Sequence, residues 1–304
     1  MFSISAFNLF FIKAKLICIS IKKNNNLIKN IIKYINSNVK FKSSFNHPNR
    51  IYKLNVLLKY IIDILRSGLS FRQYKEISNC KCHWNTIYNF FIKLRKTNII
   101  SLTYHDTVNR YTNKYLNKSS NKSPNIIITD TSLIINKLGI DNIGYNPQLL
   151  KHKTSKISLI CDIKGIPLEA NIYNGSVYDS KILNIQLDEF IKNNNNLLNN
   201  NNILLGDAGY DSNQLRNKVI SGNIGKLLTA KNKRNTKNED KLNALKLSPE
   251  IKLLLKERIK IEHTNAHLKQ YKRLSIRYDK YSYNYQVFLY LACINLILNR
   301  TNLK

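Results

Sequence analysis

The chain has 304 residues, of which 49 are Lys or Arg and 18 are Asp or Glu, so its formal net charge is +31. This length accommodates a catalytic domain of about 200 residues and a smaller module, and the charge favours a polyanionic partner such as DNA or RNA. Over-use of Lys, Asn, Ile and Tyr weakens that second inference, because an AT-rich coding sequence produces the same bias. The odd number of scattered cysteines, five, argues against a secreted disulfide framework.

Three short helices are predicted after the first 50 residues. Apolar residues at helical spacing predict a helix over 51–65, which Gly68 ends. Ser70, with a Gln three residues later, forms a capping box for a second helix through Ile77. A third helix is predicted over 85–96. Three such helices, with a turn between the last two, indicate a helix-turn-helix fold.

The third predicted helix carries side chains able to meet DNA. These are Asn85, Thr86, Asn89 and Lys93. The alternative is a plain helical bundle that only packs on the next domain.

Strand and helix signals alternate from residue 125 onward. β-branched and apolar runs predict strands over 126–129, 156–163 and 168–173, and the last two are joined as an antiparallel hairpin. Two further strands are predicted over 203–205 and 226–230. Helices are predicted from 179, from 211, from Ser248-Pro249 and over 284–299. This order is similar to that of an α/β ribonuclease-H-like domain, a mixed sheet flanked by helices.

These signals divide the chain into four parts. They are a basic, Asn-rich leader (1–48), a helical DNA-binding domain (49–109), a polar linker (110–124) and a catalytic domain (125–304). Neither apolar stretch, 1–20 or 285–298, has the make-up of a signal peptide or a membrane span. The sequence therefore predicts an intracellular protein with no membrane partner.

Two acidic residues follow apolar strand signals directly. Asp130 follows Ile-Ile-Ile-Thr, and Asp207 follows Ile-Leu-Leu-Gly. Small residues around Asp207 keep that turn open to a close approach by substrate. Carboxylate oxygens are the ligands that Mg²⁺ prefers, and two such ions are a common way to activate water and stabilise a leaving oxygen in phosphodiester cleavage.

A third acid, Glu262, is predicted in the middle of the helix that starts at Ser248. Arg258 lies four residues before it and Lys269 seven residues after it, so the three share one stripe of the helix. An acid between two cations suits a carboxylate that binds metal while the cations hold phosphates. The alternative is an ordinary solvated face with a salt bridge.

The other acids have local explanations. Asp162 is predicted to begin the hairpin turn, and Asp179 and Asp211 are predicted to cap helices.

The catalytic blocks together resemble the DDE transposases of bacterial insertion sequences, in the group with a Tyr-(2)-Arg-(3)-Glu-(6)-Lys signature. Arg258, Glu262 and Lys269 keep the signature spacing, whereas Leu255 stands at the Tyr position. Further similarity lies in the segments 151–168, 175–180 and 206–212, and more loosely in 62–94.

The resemblance implies that Asp130, Asp207 and Glu262 form a metal-binding catalytic triad. It implies hydrolysis at the ends of a mobile element, followed by attack of the freed 3′-hydroxyl on target DNA. Mg²⁺ is the expected cofactor, with Mn²⁺ able to substitute. The residues expected to hold DNA phosphates are Arg258, Lys269, Lys151, Lys153 and Lys156.

The expected partners are double-stranded DNA, both element ends and target, and further copies of the chain in a dimer or larger assembly. The expected location is with the DNA, in the cytoplasm of a prokaryote, in a virus factory or in a nucleus. Two alternatives stay open: a Mg²⁺-dependent nuclease of the same fold without strand transfer, and a decayed or domesticated DNA-binding protein without catalysis. A structural RNA-binding protein would leave the three acids unexplained.

Overall fold

The structure is a computed structural model that describes residues 25–47, 50–116, 124–149, 152–230, 248–301 and 303. Within these residues the N-terminal region is entirely helical. Its helices are α1 (25–37), α2 (Val39–Phe45), α3 (Leu54–Ser67), α4 (Phe71–Ile77), α5 (Trp84–Lys96) and α6 (Ile99–Tyr115).

The predicted stops and starts of α3 and α4 are confirmed. Gly68 ends α3 with a left-handed backbone (φ 74°), a conformation that glycine adopts without steric cost. The Ser70 side chain accepts from the Gln73 backbone N–H, and the Gln73 side chain accepts from that of Ser70, as in a capping box.

The predicted linker is wrong over its first residues, because α6 continues to Tyr115. The local pattern conceals this helix, since part of its buried face is polar. Thr103 and Thr107 are fully buried and donate their hydroxyls to backbone carbonyls one turn earlier, at 2.7 Å each. Most of the remaining linker, residues 117–123, lies outside the described part of the chain.

The predicted leader contains two helices. The first, α1, buries Leu27, Ile31 and Ile35 completely, and the Asn30 amide donates to the Thr107 hydroxyl on α6 at 2.9 Å. Residues 25–45 therefore belong to the packed structure, while residues 1–24 lie outside the described residues.

The second half of the chain forms a mixed sheet. Its strands are β1 (Ile126–Asn136), β2 (Gly144–Tyr145), β3 (Lys153–Asp162), β4 (Pro167–Asn174), β5 (Ile203–Gly206), β6 (Lys226–Thr229) and β7 (Ile276–Arg277). The five main strands lie in the order β4-β3-β1-β5-β6, with β3 antiparallel to β1 and β4, and β5 parallel to β1 and β6. This is the ribonuclease-H-like mixed sheet that the element order predicts.

The first strand is longer than its sequence pattern predicts. It has 11 residues rather than four, because pairing with β3 continues from Ile127 opposite Asp162 to Ile135 opposite Thr154. Asp130 therefore lies within the strand and does not end it. The β3–β4 hairpin is confirmed, and its turn is closed by Asp162 Oδ1, which accepts from the backbone N–H of Lys164 and of Ile166.

Helices flank this sheet. They are α7 (Asp179–Asn193), α8 (Asn213–Ser221), α9 (Pro249–Lys256), α10 (Ile259–Lys269), α11 (Lys272–Ser275) and α12 (Ser282–Arg300). The Ser248 cap at the start of α9 is confirmed, with its hydroxyl accepting from the Ile251 N–H at 3.3 Å. None of the helices in the described ranges is long and apolar enough to span a membrane.

The single helix predicted from Ser248 is two helices. At Glu257 and Arg258 the backbone tightens, because Lys260 and Ile261 donate to carbonyls three residues back instead of four. Glu262 consequently lies in the first turn of α10, not in the middle of a long helix.

Helix α12 joins the two halves of the molecule. Phe288 stacks on Phe91 of α5 with ring centroids 4.8 Å apart, and Tyr290 stacks on Tyr104 of α6 at the same distance. On its other side, the Gln286 side chain bonds the β4 backbone as both donor and acceptor. The helical region and the sheet therefore share one hydrophobic core.

Candidate active site

Asp130 and Asp207 lie side by side because of strand register. Parallel pairing of β1 with β5 runs from Ile126 opposite Ile203 to Ile128 opposite Leu205. Asp130 and Asp207 each lie two residues beyond this last pair, Asp130 still within β1 and Asp207 in the turn that follows β5. Adjacent strands lie about 4.8 Å apart, so register alone brings the first two predicted acids together.

The turn after β5 holds Asp207 in place. Its Oδ1 accepts from the Gly209 N–H at 2.7 Å, and a Cβ added at Gly209 would lie 2.9 Å from that oxygen. A Cβ at Gly206 would lie 3.0 Å from the ring of buried Tyr210. The small residues of this segment therefore leave room for both the carboxylate and the ring.

The Asp130 side chain is 20% exposed. Burial raises the pKa of Asp130 to about 6, the positive charge of Arg258 opposes this shift, and the negative charges of Asp207 and Asp179 add to it. Burial first, and the neighbouring carboxylates second, disfavour the charged form of Asp130, and a bound divalent cation would favour it.

Two side chains from the Glu262 segment reach Asp130. The Asn265 amide donates to Asp130 Oδ2 at 3.2 Å, and Arg258 Nη2 lies 4.0 Å from Oδ1. The Arg258 Nε is buried and has no hydrogen-bond partner among the described residues. The guanidinium therefore has a donor that no described residue uses, and its side chain is 23% exposed.

Lys269 lies on the same side of α10 as Arg258 and Asn265. Its ammonium donates to the Leu133 carbonyl on β1 at 3.1 Å. Burial lowers the pKa of Lys269, and the nearby Asp130 carboxylate works against this shift. The two cations of the predicted stripe, Arg258 and Lys269, therefore both lie close to β1.

Glu262 itself is exposed. At about 100° per residue it lies roughly 60° around α10 from Asn265 and 20° from Lys269, at the edge of the face that meets the sheet. Among the residues that the structure describes, no three His, Cys, Asp or Glu side chains are close enough together to hold a metal ion. Two acids are assembled, and the third lies on the adjoining flank.

The lysines of β3 have two different environments. Lys153 is exposed. Lys156 is 6% exposed, and its ammonium donates to Asp179 Oδ1 at 2.7 Å and to the Val177 carbonyl at 2.8 Å. The expectation that Lys156 holds DNA does not fit this placement. Lys151 lies outside the described residues.

The predicted caps at Asp179 and Asp211 are wrong. Helix α7 begins at Asp179, whose carboxylate accepts from Lys156 and from the Thr131 hydroxyl at 2.7 Å instead of from its own helix. Asp211 pairs with Arg216. In both cases a cationic side chain is the stronger partner.

The residues of α5 predicted to face DNA also have two different environments, as the β3 lysines do. Asn85, Thr86 and Asn89 are exposed. The Lys93 ammonium donates to the Ser44 carbonyl at 2.6 Å and lies 4.8 Å from the centre of the Phe45 ring. Both of these residues belong to α2, so Lys93 contacts the protein itself. The polar face of α5 is therefore narrower than the sequence indicates.

Asn265 is the site residue that sequence reasoning missed. It lies seven residues after Arg258 and three after Glu262, so helical spacing could have placed it on the same flank. Leu255, the departure from the signature, packs against the hydrophobic core.

A family of known proteins matches the second half of this chain. The family model described as a transposase DDE domain matches residues 126–297. No curated protein is similar enough to count as a match. Solved structures with similarity include a Mos1 transposase paired-end complex with the left transposon end, at 10% identity and a TM-score of 0.27, covering 74% of this chain and 81% of that one.

A pre-cleavage Mos1 transpososome is comparable, at 10% identity and a TM-score of 0.28, covering 75% of this chain and 79% of that one. The family model spans more than half of the 304 residues and includes Asp130, Asp207 and Glu262. The chain belongs to the transposase DDE domain family.

Proposed function

We propose that the protein cleaves DNA at the ends of a mobile element and joins the freed 3′-hydroxyl to target DNA. The catalytic acids in this proposal are Asp130, Asp207 and Glu262. The observation that carries it is the meeting of three segments: Asp130 on β1, Asp207 directly after the paired strand β5, and Arg258 and Asn265 reaching Asp130 from the Glu262 segment.

Glu262 lies between Arg258 and Asn265 along the chain, and both of these reach Asp130. This placement on the segment that contacts Asp130 supports Glu262 as the third acid, and its carboxylate is exposed.

Mg²⁺ is the proposed cofactor, with Mn²⁺ able to substitute. The donor set fits a hard divalent cation, since the carboxylates supply oxygen atoms and the pKa of Asp130 is raised by burial and, to a smaller extent, by the charges of Asp207 and Asp179. When bound, such an ion polarises a phosphate oxygen and lowers the pKa of water. Asp130 and Asp207 would hold it, joined by Glu262.

The cations beside these acids suit DNA phosphates. Arg258 has an unpartnered buried Nε, and a guanidinium fork matches the oxygens of a phosphate. Lys269 lies farther along β1. Exposed Lys153 begins β3, about 20 Å from the level of Asp130 along the sheet, and can follow the backbone beyond the cleaved bond.

The exposed face of α5 completes the proposed DNA contacts. Asn85, Thr86 and Asn89 carry both donors and acceptors, as recognition of base edges or phosphates requires. A dimer or larger assembly on DNA would supply one active site for each of the two element ends. The protein would act wherever the DNA of its host lies.

Asp207→Ala tests the assignment most simply. The variant should lose cleavage of element-end DNA while binding that DNA with nearly unchanged affinity. Asp188→Ala is the matched control, because Asp188 is an exposed acid, 68% accessible, that pairs with Lys218. Undiminished cutting by Asp207→Ala would overturn the proposal.

A nuclease of the same fold that does not join DNA is the nearest alternative, and supplying pre-cut ends in a strand-transfer assay separates the two. A copy that binds DNA without catalysis is favoured by one observation, the exposed Glu262 beside only two assembled acids. Titration with Mn²⁺ decides this, because the binding-only protein would take up no ion that depends on Asp207.

A further inference from the structure

Asn265 makes the one direct side-chain hydrogen bond that the structure gives to the Asp130 carboxylate among the described residues. The residue is 8% exposed, and its Nδ2 lies 3.2 Å from Asp130 Oδ2. No catalytic role follows from its residue type, and the proposed triad does not include it.

Helix α10 is fastened to the sheet region on both sides of Asn265. One residue earlier, the fully buried Thr264 donates its hydroxyl to the Gly165 carbonyl in the β3–β4 turn at 2.7 Å. Four residues later, Lys269 donates to the Leu133 carbonyl on β1. Neither contact involves the Asn265 amide, whose hydrogen bond goes to Asp130.

We infer that Asn265 is a positioning residue of the proposed metal site, whose amide orients the Asp130 carboxylate toward Asp207. The inference rests on the proposed function, since it concerns how the chain presents a ligand to the ion. An amide N–H can bond one lone pair of a carboxylate oxygen and leave the remaining lone pairs for a cation. Outer partners of this kind typically change metal affinity by about 10-fold to 100-fold when they are removed.

The competing explanation is that Asn265 only fastens α10 to β1. Thr264 fastens the same helix to the sheet without touching Asp130, so it separates the two roles. A fastening role predicts that loss of either side chain lowers the stability of the protein and leaves ion affinity alone. A positioning role predicts that loss of Asn265 alone weakens ion binding.

The experiment is a Mn²⁺ titration of the full chain without DNA. Calorimetry or electron paramagnetic resonance monitors the binding. The variants are Asn265→Leu, which keeps the volume of the side chain, and Thr264→Val as the matched control. Asn265→Leu should weaken Mn²⁺ binding about 10-fold or more, while Thr264→Val binds as the wild type does. Asn265→Ser, which shortens the donor, should give the same weakening if the leucine variant does not fold.

Equal Mn²⁺ affinity of the wild type and the folded Asn265 variant would overturn the inference. The proposed function would still stand in that case, provided that Asp207→Ala loses the ion. A wild type that binds no Mn²⁺, or binds it equally well after Asp207→Ala, would instead overturn the proposed function and the inference with it.

Discussion

The sheet and the helix α10 contribute to the candidate site in different ways. Asp130 and Asp207 are set by strand register and by the turn around Gly209, so their relative position follows from backbone pairing. Glu262 depends on a helix that starts after a tightened turn, and its side chain is exposed. A paired backbone assembles two acids in advance, whereas the third needs a side-chain movement to join them.

Removing the charge of Asp130, on the sheet, should have the largest effect on DNA cleavage. Asp130→Asn should reduce cleavage of element-end DNA by about 10³-fold or more, because it removes a charge that the ion and the reaction both require. Free energies of unfolding should not fall, since burial disfavours the charged form of Asp130. Loss of stability with retained cleavage would show that Asp130 is structural.

Glu262→Gln tests the helix side of the comparison. We expect cleavage to fall by about 100-fold, with the free energy of unfolding changed by less than about 0.5 kcal/mol, because the side chain is exposed. Glu250→Gln, an exposed acid in the first turn of α9, is the matched control. Equal cleavage by the two variants would remove Glu262 from the site.

Glu169 on β4 shows how burial in the sheet affects the protonation of a carboxyl group. It is fully buried, its Oε1 has no hydrogen-bond partner among the described residues, and burial raises its pKa to about 7. The folded protein therefore binds a proton that the unfolded chain releases near pH 4.5. The contribution of Glu169 to the free energy of unfolding is therefore fully present below pH 4.5. It is lost as the pH rises through about 7.

The loss should amount to about 3 kcal/mol between pH 4.5 and 8. Denaturant titrations at pH 4.5 and pH 8 measure it, and the isosteric Glu169→Gln variant should lose less stability over this range than the wild type. An identical pH dependence in both proteins would mean that Glu169 is not the group responsible.

The two β3 lysines should give the smallest effects on DNA. Lys153→Ala should weaken DNA binding slightly and reduce the slope of log affinity against log salt by about 1, with unchanged stability. Lys156→Met should leave DNA affinity unchanged but cost about 1–3 kcal/mol of stability, because it leaves Asp179 without its cation. The opposite pattern would mean that Lys156 leaves its buried position to bind DNA.

Local signals predicted local structure well. Gly68, the capping box at Ser70 and the cap at Ser248 depend on neighbours within four residues, and each is confirmed. The turn closed by Asp162 is of the same kind. A sequence carries these features directly, because the partners are adjacent in the chain.

Features set by distant partners were not predictable in the same way. The length of β1 depends on β3, and the ion pair of Asp179 depends on Lys156, 23 residues earlier. The hydrogen bond from Asn265 to Asp130 spans 135 residues. Tertiary contacts decided each case, and they gave Lys156 and Lys93 internal partners where the sequence indicated DNA contacts.

The central claim is that Asp130, Asp207 and Glu262 converge on one divalent-metal site. Fe²⁺ loaded in place of Mg²⁺, with ascorbate and peroxide, cuts a polypeptide close to where the ion is bound, and the fragments can be sized. The account predicts cuts near residues 130, 207 and 262 that excess Mg²⁺ suppresses. Cuts near the first two without any near 262, or no cuts at these positions, would contradict it.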